Sequence, residues 1–173
     1  SGSRGTTVSI RDLFGNFPAR KRFLKRPAAE SLACRQTFLE KAMPFPERAF
    51  RLNVDGKPVL SLLPGDRIAR VLANLPQDID TVFVRELSAR GPGYELSMVA
   101  TLPDIYRNDR KHIQVYVNRR RVQEYGIAQA VEYAYRGSLP GGAWPIVYVF
   151  VDVDPALSDF NIHPAKREVR LKN

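Results

Sequence analysis

Residues 145–153 read PIVYVFVDV, an almost wholly apolar run rich in β-branched side chains. A strand with one wet face alternates apolar and polar residues. The lack of alternation here predicts a central strand buried on both faces. Around it lie three further strand candidates, Thr81–Ser88, Tyr94–Leu102 and His112–Asn118, with Gly91-Pro92-Gly93 as the turn between the first two. Tyr125–Arg136 carries Ile127, Val131 and Ala134 at helical spacing and stops at Gly137. Asp66–Asn74 reads as a short amphipathic helix presenting Ile68, Val71 and Leu72. Asp55-Gly56 is a strong hairpin signal between Ala49–Val54 and Pro58–Leu63, because both turn positions want positive φ. Pro27–Ala42 is a predicted helix with Ala28, Leu32, Leu39 and Ala42 inward and Cys34 in the core. Pro18 fits the first turn of a short helix through Leu24, and Val8 and Ile10 alternate as a strand within residues 6–14. Strands with helices mixed among them indicate an α+β protein, and Pro64-Gly65 suits a boundary.

The 173 residues hold 27 Lys+Arg against 18 Asp+Glu, a net charge of +9. Two stretches carry it. Residues 1–26 contain Arg4, Arg11, Arg20, Lys21, Arg22, Lys25 and Arg26 against Asp12, and residues 107–121 contain six cations against Asp109. Clustered cations on a near-neutral body point to a polyanion, of which nucleic acid is the commonest. One cysteine excludes an internal disulfide, and two histidines make a zinc cage improbable. The apolar run from Pro145 to Val151 is far short of the ~20 residues that a spanning helix needs, so no membrane partner is expected. Nothing at the N-terminus reads as a signal peptide, so an intracellular setting is the expectation. No glycine-rich phosphate loop and no nucleophile with its base is present, so the chain does not read as a complete enzyme.

Two segments are less ordinary. In Val117-Asn118-Arg119-Arg120-Arg121 a β-rich run ends in an Asn and three arginines. Guanidinium forks match phosphate oxygens, and a strand end with its turn presents them rigidly. The alternative is a charged turn that discourages edge pairing. In Asn161-Ile162-His163-Pro164-Ala165-Lys166 the residue before Pro164 is held extended, and Lys166 follows the kink as a point charge suited to a phosphate.

Together these segments resemble the MutL family of DNA mismatch repair proteins. The carrying motifs are Gly5-Thr6-Thr7-Val8-x-Ile10-Arg11-Asp12-Leu13-Phe14-x-Asn16-x-Pro18-Ala19-Arg20, Val117-Asn118-x-Arg120, and Asn161-x-His163-Pro164-Ala165-Lys166-x-Glu168-Val169-Arg170, in the family's order. The resemblance implies that residues 1–64 are the C-terminal portion of a GHKL (Bergerat-type) ATPase domain. It implies that residues 65–173 are a transducer with the ribosomal protein S5 domain 2-like fold. The magnesium-binding Asn, the catalytic Glu and the Asp-x-Gly-x-Gly segment would lie upstream, and the dimerisation and endonuclease region downstream. Lys166 would reach the ATP γ-phosphate from the second domain, and Gly5-Thr6 would help hold the adenine end. Arg120, with Arg119 and Arg121 beside it, would contact DNA, while Asn16, Pro18, Ala19 and Arg20 would be architectural, as would Asn161, His163 and Pro164. ATP and magnesium would serve the parent protein, with neither expected bound to this fragment, and the ATPase would need the missing motifs.

The partners implied are DNA without sequence preference, the mismatch-recognition protein MutS, and a second copy or paralogue in a dimer. A cytoplasmic location follows for a bacterial parent and a nuclear one for a eukaryotic parent. Some positions depart from the pattern: Gly15 and Phe17 stand where Tyr and Thr are usual, Arg119 where Gly is usual, and Leu171 where Phe is common. Phe17 removes a hydroxyl that would cap the following helix, and Arg119 adds a cation. Two other readings compete: an ATP-independent nucleic-acid module of S5-like fold, and the transducer of another GHKL protein such as a type II topoisomerase. The first half is expected to lack sheet partners, and so to be poorly ordered or unusually packed.

Overall fold

A computed structural model of the chain describes residues 5–75, 79–154, 158–159 and 170–171. It forms two units, residues 1–36 and 37–173. The elements in chain order are α1 (Pro18–Lys21), α2 (Pro27–Ala42), the strands β1 (Phe50–Val54) and β2 (Lys57–Leu62), and α3 (Arg67–Leu72). Next come β3 (Val84–Gly91), β4 (Tyr94–Thr101), β5 (Tyr106–Arg107), β6 (Ile113–Val117), β7 (Arg120–Val122) and α4 (Tyr125–Ala134). The last are β8 (Trp144–Pro145), β9 (Val147–Val153), β10 (Ser158–Asp159) and β11 (Arg170–Leu171).

The core is a five-stranded mixed sheet of order β3-β4-β9-β6-β7. β9 lies at its centre, antiparallel to β4 and parallel to β6. Its side chains alternate between two buried layers, which is why its sequence does not alternate in polarity. Val147, Val149 and Val151 pack with Val115, Val117, Val122 and the α4 residues Ile127 and Val131. Tyr148 and Phe150, with Ile146 just before the strand, face the other way. They meet Met43, Val71, Val84, Val99 and Tyr116, with Ile68 and Leu72 of α3 against them. Asp66 caps α3 by accepting the Ala69 N–H at 2.7 Å. The β1–β2 turn has Asp55 at φ 50 and Gly56 at φ 75, as the Asp-Gly pair predicts.

Several expectations are corrected. Residues 6–14 form no strand, and Val8 and Ile10 are 79% and 78% exposed. A strand without a partner leaves its backbone groups unpaired, and no described residue of unit 1 supplies one. The first helix ends at Lys21 rather than Leu24. Along α2 only Ala42 is buried; Leu39 is half-buried, whereas Ala28, Leu32 and Cys34 are exposed. Apolar side chains on a helix are buried only where another layer meets them. Ala134 is exposed too, and Tyr135 takes its inward place, its hydroxyl donating to the Thr101 carbonyl. Residues 81–83 make a 3-10 turn before β3 begins at Val84. The short β5, β7 and β8 were not foreseen, being two or three residues long and rich in charge or aromatics.

Candidate nucleic-acid interface

The parallel strands β6 and β9 run side by side and end together. Beyond Val117 the chain reverses in two residues, Asn118 at φ 46 and Arg119 at φ 65, and returns as β7. Two consecutive left-handed residues match the twist of a two-residue hairpin. The second of them is Arg, at a position where a Cβ is disfavoured by roughly 1 kcal/mol. Asn118 fixes the turn to the end of β9. Its Nδ2 donates to the Val153 carbonyl at 2.9 Å, the Val153 N–H donates to its Oδ1 at 2.8 Å, and its own N–H donates to the Val151 carbonyl at 2.8 Å. The strand that organises the core therefore also anchors the arginine turn.

The three arginines are exposed but do not share one direction. In β7 Arg120 stands opposite Val117 and Arg121 opposite Tyr116, so they leave opposite faces of the sheet. Arg121 Nη1 lies 2.9 Å from Glu40 Oε2. The Arg119 guanidinium sits 5.3 Å from the centroid of the Phe45 ring. It lines a small pocket of about 170 Å³ with Glu47, Arg67, Tyr116, Phe150 and Asp152. Tyr116 and Phe150 stack at 5.1 Å, and Arg67 lies over Phe150 at 4.3 Å while pairing with Glu86 at 3.6 Å. The Glu47 carboxyl is held below the ordinary carboxylate range, first by a hydrogen bond from its own backbone, then by Arg48 and Arg119.

Sequence reasoning missed Arg70. It is 3% exposed, and its Nη2 donates to the carbonyls of Pro46 at 3.0 Å, Arg48 at 2.6 Å and Leu63 at 3.2 Å. Desolvation lowers the affinity of this guanidinium for its proton, with Glu47 opposing. The signal was an Arg one position before Val71 on the inward stripe of α3. By tying residues 46–48 to α3 it holds the wall of the pocket in which Arg119 lies.

The remaining expected site residues are not gathered here. Gly5, Thr6, Asn16, Pro18, Ala19 and Arg20 are all exposed within unit 1. Pro18 opens α1 behind Phe17, which makes no side-chain cap, as loss of the hydroxyl implies. Arg20 lies over the Phe17 ring at 5.6 Å. Gly5 has open space where a side chain would stand. Lys166, Asn161, His163 and Pro164 lie outside the described residues. Among the described residues no cluster of three or more His, Cys, Asp or Glu side chains is placed to hold a metal, and no helix is long and apolar enough to cross a membrane. The larger cavity, about 680 Å³ between α4 and residues 137–145, contains none of the expected site residues.

The same arrangement of sheet and helices occurs in solved structures of MutL ATPase domains. The Aquifex aeolicus MutL ATPase domain complexed with ADP matches with a TM-score of 0.61 at 23% identity, over 84% of this chain and 52% of that one. A structure described as the N-terminal domain of a DNA repair protein matches with a TM-score of 0.68 at 19% identity, over 92% of this chain and 54% of that one. These likenesses show the fold: the sheet and helices of this chain are arranged as in part of those structures.

Residues 80–173 match the family described as DNA mismatch repair protein, C-terminal domain, and the chain belongs to that family. The MutL protein of Treponema pallidum is 37% identical over 98% of this chain and 28% of its own length. That of Heliobacterium modesticaldum is 38% identical over 96% and 26%. The chain thus spans about a quarter of the length of these relatives.

Proposed function

We propose that this chain is the part of a MutL-like mismatch repair protein that contacts the DNA backbone and relays nucleotide state to clamp closure. The DNA contact rests on one observation, the left-handed turn after β6, anchored to β9 and bearing Arg119, Arg120 and Arg121. Phosphate contact requires positioned cations rather than base-edge readout, so binding is sequence-blind and steeply salt-dependent. Residues 1–64 then form the C-terminal portion of the ATPase domain and residues 65–173 the transducer. Packing of Met43 with Val71 and Tyr148 supports a firm junction across that boundary.

The nucleotide role belongs to the resemblance alone: Lys166 for the γ-phosphate, Gly5 and Thr6 for the adenine end, and magnesium held by residues outside this chain. No step is assigned to the described residues on that account. MutS and a second subunit are the protein partners that the family reading adds.

Titration of a labelled DNA duplex at several salt concentrations tests the DNA contact. The expected result is weak, sequence-independent binding that falls with salt. In Arg119→Ala/Arg120→Ala the salt slope should drop by roughly one to two units. Unchanged binding in that variant would move the contact to residues 4–26. In a full-length mismatch repair protein carrying this chain, normal ATP turnover by Lys166→Ala would remove the γ-phosphate role.

A further inference from the structure

The arginine turn contributes cations to a polyanion, yet one of its guanidinium groups already pairs with a carboxylate of a nearby segment and a second shares a pocket with another. Arg121 Nη1 is 2.9 Å from Glu40 Oε2 near the end of α2. Arg119 rests on Phe45 and shares its pocket with Glu47, five residues after Ala42, where α2 ends. Glu40 lies in the last turns of α2, and Arg70 ties the stretch around Glu47 to α3 through the Pro46 and Arg48 carbonyls. The position of Glu47 is therefore fixed independently of the arginine turn.

A carboxylate and a phosphodiester offer an arginine the same thing, two acceptor oxygens matched to its fork. A phosphate reaching Arg121 competes with Glu40 for the guanidinium fork, and the charge of Glu40 opposes its approach. The pair is half-exposed, with side-chain exposures of 39% for Arg121 and 29% for Glu40. Solvent reaches it, and so would a phosphate. Pairs of this exposure hold weakly, so opening it is feasible at ordinary DNA concentrations.

We infer that Glu40, paired with Arg121, is an affinity-setting residue of the DNA contact, an internal phosphate mimic that competes with DNA for that guanidinium, and that Glu47, beside Arg119 in the pocket, weakens the same contact through its charge. This inference rests on the DNA reading proposed above. Physically, such a competitor keeps a basic surface from holding random duplex tightly. The two carboxylates also offset part of the favourable charge term that phosphate contact would otherwise supply. Arg120 leaves the other face of β7.

The experiment is duplex binding by fluorescence anisotropy at two salt concentrations with the wild-type chain, Glu40→Gln/Glu47→Gln, and a charge-matched control. The control is Asp55→Asn/Asp104→Asn, both positions exposed and remote from the turn in sequence. Circular dichroism confirms that each variant is folded. The expected result is binding about three- to tenfold tighter in Glu40→Gln/Glu47→Gln than in the control, with a salt slope steeper by about one unit. Adding Arg121→Ala to that variant should cancel most of the gain. If the wild-type chain binds and the two acidic variants tighten binding equally, the inference fails while the DNA reading stands. Absence of binding in every variant at low salt would overturn both. Binding only in Glu40→Gln/Glu47→Gln would support both.

Discussion

Arg119 and Asn118 show how a single backbone conformation sets stability and binding against each other. Arg119 sits at φ 65, the left-handed region where a side chain is strained and glycine is not. We predict that Arg119→Gly stabilises the fold by about 1 kcal/mol while weakening duplex binding, read by urea denaturation and anisotropy on one preparation. A loss of stability would mean that the stacking on Phe45 outweighs the strain. Asn118→Ala should cost about 2 kcal/mol, since it removes both bonds to Val153 and keeps the unfavourable φ, whereas Asn118→Gly should cost less.

His112 carries the pH dependence at this scale. Burial first, then Arg107, depresses its imidazole below the ordinary 6.5, with Asp109 opposing and Lys111 assisting. The unfolded chain therefore takes up this proton before the folded one does. The corresponding stability is present above about pH 6.5 and is lost as the pH falls towards the depressed value. In His112→Gln that part of the acid-limb slope should disappear from a pH series of unfolding midpoints.

Among the elements, β9 is the one on which the others depend, and its two buried faces give a sharp contrast. Val149→Ala should cost about 2 kcal/mol, because Val149 is 1% exposed between β4 and β6. Val59→Ala in β2, where Val59 is 46% exposed, should change stability by less than about 0.5 kcal/mol. Equal costs in denaturation would deny β9 its central place. Strand and helix boundaries in this unit were largely legible: β9, β4, β6, α3, α4 and the Asp55-Gly56 turn follow from apolar pattern and turn chemistry. β7 was not, because Arg120-Arg121-Val122 has no apolar pattern. It is a strand only because the preceding turn returns it alongside β6.

At the level of the whole molecule, the buried side chains begin at Ala42, and no described residue between 5 and 36 is buried. A chain lacking residues 1–26 should keep its thermal midpoint within about 2 °C, since it removes no buried apolar side chain. A fall of more than about 5 °C would show that residues 1–26 stabilise unit 2. The same truncation removes seven cations and one acid, so comparing its duplex affinity with that of Arg119→Ala/Arg120→Ala tells which basic cluster carries the contact.

The sequence by itself determined the central strand, the sheet-and-helix class and the family. Unbroken apolar pattern, turn dipeptides and motif spelling are local signals that survive without coordinates. It also marked the arginine run, but not its state. Only the tertiary structure decided that Arg119 and Arg121 turn towards Phe45, Glu47 and Glu40 while Arg120 leaves the other face. It likewise decided that Arg70 is buried on three carbonyls, and that Val8, Leu32 and Cys34 lie in solvent. The reason is common to all three: burial and pairing are properties of two surfaces meeting, and partners as far as 81 residues apart in the chain leave no mark in the local pattern of either.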